Sequence, residues 1–215
     1  MGKAKGIGDM KNKPHILLIH GIFNTGRCFN AMRRYFEKQG YVVHSPSLKP
    51  SWGFAELRDL SELVTVYINE EIPNDVPIHA IGYSMGGLVL RYHLQQQNCL
   101  NRYLSFTTIS SPHNGTHNAW LLPLDGVKDM RQQSEFIENL EKEDHRIADH
   151  CKPLSLWTPL DLIILPQNSS EWSIAQNEKY LVSMHPAMIR SPKIIRRISE
   201  HLTDSEFARL EKDVA

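Results

Sequence analysis

The chain has 215 residues, enough for one domain with a sizeable core, and its 24 Lys+Arg balance its 24 Asp+Glu to a formal charge of zero. That balance leaves no basic excess for nucleic acid, and no acidic arm, so a nucleic-acid partner is not expected. Three cysteines, Cys28, Cys99 and Cys151, are odd in number and widely spaced, which argues against a disulfide framework and for a reducing, cytoplasmic compartment.

In chain order, residues 1–13 are basic and glycine-rich with no apolar run behind them, and are expected to be a disordered lead-in rather than a signal or anchor. Residues 14–215 form the single expected domain. The longest apolar run, 16–19, is far too short to cross a bilayer, so no integral membrane association is expected. Residues 15–20 read as a strand buried on both faces, followed by the glycine-containing loop 21–26. A helix is predicted over about 29–38, closed by Gly40 in the C-cap position, then a strand over 41–44. A loop at 46–53 leads to a helix over about 54–71 that stops before Pro73.

Residues 78–81 are a short apolar run with two isoleucines that ends at Gly82-Tyr83-Ser84-Met85-Gly86 and resumes with helical spacing at Leu88, Val89, Tyr92 and Leu94. Strand, sharp turn and helix are the context in which Gly-x-Ser-x-Gly acts as a nucleophile elbow. A serine at such a tip is held in a strained conformation, and side chains at positions 82 and 86 would collide with the passing backbone. Without that context the alternative reading is an ordinary glycine-rich turn with a solvated serine. Further strands are predicted over 103–109, 154–158 and 179–182. Residues 116–150, a short insertion or minimal lid, carry an apolar patch at 120–124 and a charged helix around 134–145. A final helix over 192–201 precedes a polar tail. Strands alternating with helices predict an α/β fold: a mostly parallel sheet of about six strands with helices on both faces.

A serine hydroxyl needs a base, a carboxylate that orients the base, and donors for the developing oxyanion. In parallel sheets these groups gather at the carboxyl ends of strands. The acid candidate is Asp161, after the strand at 154–158 and before the apolar run 162–165, which is expected to seal it from water; Asp125 and Asp129 are weaker rivals. The base candidate is His185, with Pro186 fixing the chain that leaves it; His201 is the rival, and His20 is expected to brace its loop. The backbone N–H groups of Ile22 (or Phe23) and Met85 are the candidate oxyanion donors. His113 with His117, and the group His145, Asp149, His150 and Cys151, have spacings that a metal search must consider. The first pair lies in a Pro/Gly loop and the second has no partner motif, so no metal is assigned. Trp52, Trp157 and Trp172 read as packing residues or pocket walls.

Together these residues resemble the α/β-hydrolase superfamily, in particular its small lipases and esterases. The resemblance is carried by His20-Gly21-Ile22, by the segment from Gly82 to Gly87 with Arg91-Tyr92, by Ser110-Ser111-Pro112-His113-Asn114-Gly115-Thr116, by Asp161 to Pro166 and by His185, and it spans about residues 14–202. It implies a minimal α/β-hydrolase fold with Ser84 as nucleophile, Asp161 and His185 completing the triad, Ile22 and Met85 as oxyanion donors, and no cofactor. Phe23, Tyr83 and Trp120 are the expected substrate-binding side chains, for a small-molecule acyl ester or a lipid. The chain departs from the pattern at Tyr83, where these lipases usually carry His, and at Met184, where Gly is common. Thioesterase or acyltransferase chemistry on the same triad, or a non-catalytic binding protein on the same fold, remain open at this point.

Overall fold

A computed structural model describes residues 13–50, 52–96 and 100–214; the expected lead-in lies almost wholly outside them. Six parallel strands, β1 (His15–Ile19), β2 (Val42–His44), β3 (Ile78–Tyr83), β4 (Tyr103–Ile109), β5 (Leu154–Trp157) and β6 (Gln176–Lys179), lie in the order β2-β1-β3-β4-β5-β6. The helices are α1 (Asn30–Glu37), α2 (Leu57–Glu71), α3 (Met85–Gln96), α4 (Asp125–Lys128), α5 (Glu135–Lys142), α6 (Asp144–Ala148) and α7 (Pro192–Val214).

Alternation along the buried strands sorts the core into two layers. Leu17 and Ile19 of β1 and Ile78 and Ala80 of β3 pack with α2 and α3, whereas Ile16, Leu18, Ile81 and Tyr83 pack with α1 and α7 on the other face. A strand buried on both sides therefore needs apolar residues at nearly every position, which is why β1 reads as a continuous run. The chain winds outward from β1 to β2, then returns to β1's other side with β3. That reversal brings the loops leaving β1 and β3 side by side at the carboxyl edge of the sheet, the place where parallel sheets gather their ligands.

Three predicted elements are corrected. The last strand, expected over 179–182, is Gln176–Lys179, a mostly exposed edge strand held by backbone pairing to β5. The charged helix around 134–145 is two helices, α5 and α6, with Ser134 Oγ capping the first through the Ile137 N–H at 3.2 Å. The polar tail after residue 201 is a continuation of α7 to Val214. Within the insertion, Phe136, Ile137, Leu140 and Ile147 join the core beside α3.

Candidate active site

Ser84 occupies the tip between β3 and α3 with φ at 55°, a left-handed conformation that costs a non-glycine residue roughly 1–3 kcal/mol. Its N–H donates to the Ile109 carbonyl of neighbouring β4 at 2.8 Å, and its own carbonyl accepts from the Gly87 N–H at 3.0 Å. The crossing at the tip leaves no room for side chains: a Cβ at Gly86 would lie 2.1 Å from the Ile19 carbonyl oxygen, and one at Gly82 would lie 2.4 Å from Gly87 Cα.

The loop after β1 passes directly over the serine. A Cβ built on Gly21 would be 2.8 Å from Ser84 Cβ and 3.3 Å from Ser84 Oγ. His20 fixes this loop. Its Nε2 accepts the Leu48 N–H at 3.0 Å, so its Nδ1 carries the proton and donates to the Gly21 carbonyl at 2.9 Å. Burial lowers the pKa of His20, in keeping with a neutral ring. Asn24 Nδ2 donates to the Ile22 carbonyl at 3.0 Å, and Phe23 turns the chain with φ at 58°. The Met85 N–H opens α3 and has no intrahelical carbonyl behind it.

Asp161 and His185, 24 residues apart, meet: His185 Nδ1 and Asp161 Oδ2 are 2.6 Å apart, with the two residues 6% and 1% exposed. The other carboxylate oxygen accepts two backbone N–H groups, Ile163 at 2.8 Å and Ile164 at 3.0 Å. Thr158 Oγ1 ties the loop after β5 to the loop after β6 by donating to the Val182 carbonyl at 2.7 Å, which brings the two side chains together. Asp161 is sealed from water, but the apolar run expected to do so contributes unevenly: Leu162 and Ile163 are 75% and 50% exposed, Ile164 is buried and Leu165 half-buried.

Tyr83 is 2% exposed, its ring 4.9 Å from the His185 ring and 6.4 Å from Phe29. It backs the imidazole and places it beside the elbow. Phe23 and Trp120 are both exposed; Phe23 meets the edge of Trp52, and the Arg131 guanidinium lies 4.4 Å over Trp120. Trp52 is also exposed, while Trp157 and Trp172 are buried.

The rivals have other employment. Asp125 pairs with Lys128 on the surface, and Asp129 accepts the Leu57 N–H at the start of α2. His201 lies on α7, lining a cavity of about 600 Å³ at the opposite end of the sheet, which none of Ser84, Asp161 and His185 lines. His113 is buried between Thr108 and Trp172, His145 contacts the Lys142 carbonyl and His150 the Tyr103 carbonyl.

With this geometry in place, the sequence comparison is decisive: residues 16–173 match the family model described as the alpha/beta hydrolase family. The chain belongs to that family. No curated protein matches this hydrolase-family chain. Its fold is similar to that of a lipase from Bacillus licheniformis, at TM-score 0.70 and 16% identity over 88% of this chain and 92% of that one. The lin2722 gene product of Listeria innocua gives TM-score 0.68 and 14% identity over 87% and 92%. A pyrethroid hydrolase from Sphingobium faniae gives 0.60 and 14% over 89% and 98%.

One cluster beneath the candidate site was not anticipated. Arg91 of α3, fully buried, forms a two-pronged pair with Asp144 of α6 at 2.9 and 2.8 Å. It also lies 4.8 Å from the Trp172 ring. Trp172 Nε1 and Gln95 Nε2 donate to the same carboxylate at 2.7 and 3.1 Å. Burial pulls both charges toward neutrality, and each opposes the other's loss. An arginine inside an otherwise apolar helix face was the available signal; its partner, 53 residues away, carried none.

Proposed function

We propose that this protein hydrolyses carboxylic esters through an acyl-enzyme on Ser84. The observation that carries the proposal is the buried Asp161–His185 pair, whose imidazole lies 4.9 Å from the ring of Tyr83, the residue before a serine held in left-handed conformation at the elbow. In this reading Ser84 Oγ attacks the acyl carbon and His185 Nε2 takes its proton, because Nδ1 is committed to Asp161. The oxyanion is received by the backbone N–H groups of Ile22 and Met85. His185 then returns the proton to the leaving alcohol, and water, activated by the same ring, releases the acid. Asp161 holds the ring's tautomer and favours the imidazolium that forms. Phe23 and Trp120 flank the acyl path, and Tyr83 supports the base from behind. The similarity in fold to a lipase and a pyrethroid hydrolase supports the ester class. Cys28 and Cys151, both free thiols, support a reducing, cytoplasmic setting.

The test is labelling with a fluorophosphonate probe alongside hydrolysis of p-nitrophenyl esters. Wild type is expected to label and to turn over, and Ser84→Ala to do neither. A well-folded wild type that takes up no probe overturns the proposal and favours a binding role for the fold.

A further inference from the structure

Residues 21–24 form a tight turn laid against the serine. The Asn24 N–H donates to the Gly21 carbonyl at 3.3 Å, and a Cβ on Gly21 would lie 3.3 Å from Ser84 Oγ. Phe23, third in the turn, has φ at 58°, while Ile22 before it keeps a negative φ. A closing bond of this kind with left-handed backbone at the third position defines a type II turn. Type I and type II turns differ in which way the middle peptide faces, here the one joining Ile22 to Phe23. The third position of type II favours glycine, and a bulky side chain is disfavoured there. Another contact must therefore hold this peptide against relaxation to type I.

The Asn24 side chain supplies that contact. Its Nδ2 donates to the Ile22 carbonyl at 3.0 Å, gripping the middle peptide by its oxygen. Because a peptide is planar and trans, the Phe23 N–H is fixed on the opposite side. His20 Nδ1 donates to the preceding carbonyl, that of Gly21, at 2.9 Å and sets the Ile22 N–H in the same way. Both carbonyls are thus engaged, whereas neither the Ile22 nor the Phe23 N–H has a hydrogen-bond partner among the described residues.

We propose that Asn24 is a positioning residue for acyl transfer. It keeps the N–H groups of the turn available to the oxyanion and the Ile22 carbonyl oxygen turned from it. Without that grip Phe23 relaxes, the middle peptide flips, and a carbonyl oxygen replaces a donor beside the developing negative charge. The inference rests on the esterase reading above, whose oxyanion the turn serves.

The test is steady-state hydrolysis of a p-nitrophenyl ester by the full chain and its variants, with melting temperatures. Asn24→Asp preserves the size of the side chain but removes the donor. It is expected to lower kcat about 10²-fold with KM within about threefold, the scale of misplacing one oxyanion donor, and with little change in melting temperature. Asn24→Ala is expected to do the same. In a Phe23→Gly background the type II peptide is favoured without the side chain, so Asn24→Ala is expected to cost less than about fivefold relative to Phe23→Gly by itself. That comparison cancels the loss of the Phe23 ring. Indifference of kcat to Asn24→Asp overturns the role, as does an equal loss from Asn24→Ala in both backgrounds or a loss confined to KM. A melting temperature that falls together with kcat overturns it as well, since Asn24 would then serve the fold at large. An active wild type with indifferent Asn24 variants leaves the esterase reading standing, whereas a wild type that neither labels nor turns over removes both.

Discussion

Two residues bound what the site tolerates. Asp161 combines orientation of His185 with acceptance of two backbone N–H groups. Asp161→Asn retains an oxygen for the backbone donors but presents either an amide or an oxygen to Nδ1, so the ring is no longer held with Nε2 free to accept. The expected outcome is a fall in kcat of roughly 10³–10⁴-fold with little change in thermal midpoint, measured on a p-nitrophenyl ester; an activity within tenfold of wild type would refute the assigned role. Gly86 is fixed by sterics alone. A methyl group there would overlap the Ile19 carbonyl at 2.1 Å, and backbone cannot rotate away as a side chain can. Gly86→Ala is therefore expected to be insoluble or to melt well below wild type, by scanning fluorimetry.

At the scale of elements, α3 is held from two sides. Its amino end carries the elbow, and its middle is pinned to α6 through Arg91 and Asp144, both largely withdrawn from water. Removing one member leaves the other charge buried without its partner. Arg91→Met is expected to cost about 3–5 kcal/mol, measured by urea unfolding, whereas Arg91→Met/Asp144→Leu should recover part of that loss. Additive losses in the double variant would show that the pair is not coupled. The other elements differ in how visible they were beforehand. The first and third strands announce themselves because burial on both faces demands apolar residues throughout. β6 does not, since Gln176-Asn177-Glu178-Lys179 is an edge strand held by backbone bonds. The adjacent run at 180–182 carries the better strand pattern and lies in the loop. The end of α7 was missed because, after Leu202, its apolar residues Phe207 and Leu210 face water. It is held instead by Glu206, which accepts from Tyr41 at 2.6 Å and meets His79 at 3.2 Å.

For the molecule as a whole, histidines withdrawn wholly or partly from water set the acid limit. Burial lowers His93 from 6.5 to about 4, with Thr65 and Tyr103 on its two nitrogens. His201 is likewise lowered to about 4, by burial and then by Arg197. Their folded pKa values lie below the unfolded one, so the unfolded chain binds protons first as pH falls. The stability they confer is complete above pH 6.5 and is withdrawn between 6.5 and about 4. Glu206, lowered against its burial by His79 and Tyr41, acts in the same direction below the usual carboxylate range. The urea midpoint is therefore expected to fall steadily from pH 7 to pH 4.5, without an intervening maximum. A midpoint that stays level over that range would show these rings to be solvated in the folded state.

The sequence by itself determined what local sterics and periodicity control: the alternating α/β order, the strand–turn–helix around Ser84, the glycines that let backbone cross backbone, and the placement of Asp161 and His185 after strands. Tertiary structure decided what depends on groups far apart in the chain. It set the order of strands in the sheet and the meeting of Asp161 with His185, and it paired Arg91 with Asp144. It also turned Leu162 and Ile163, within the apolar run after Asp161, outward to solvent while burying Ile164. Composition can show that a segment is apolar. Which side of it faces the core is settled only when the neighbouring loops take up their positions, because burial is a property of the assembled surface and not of the segment.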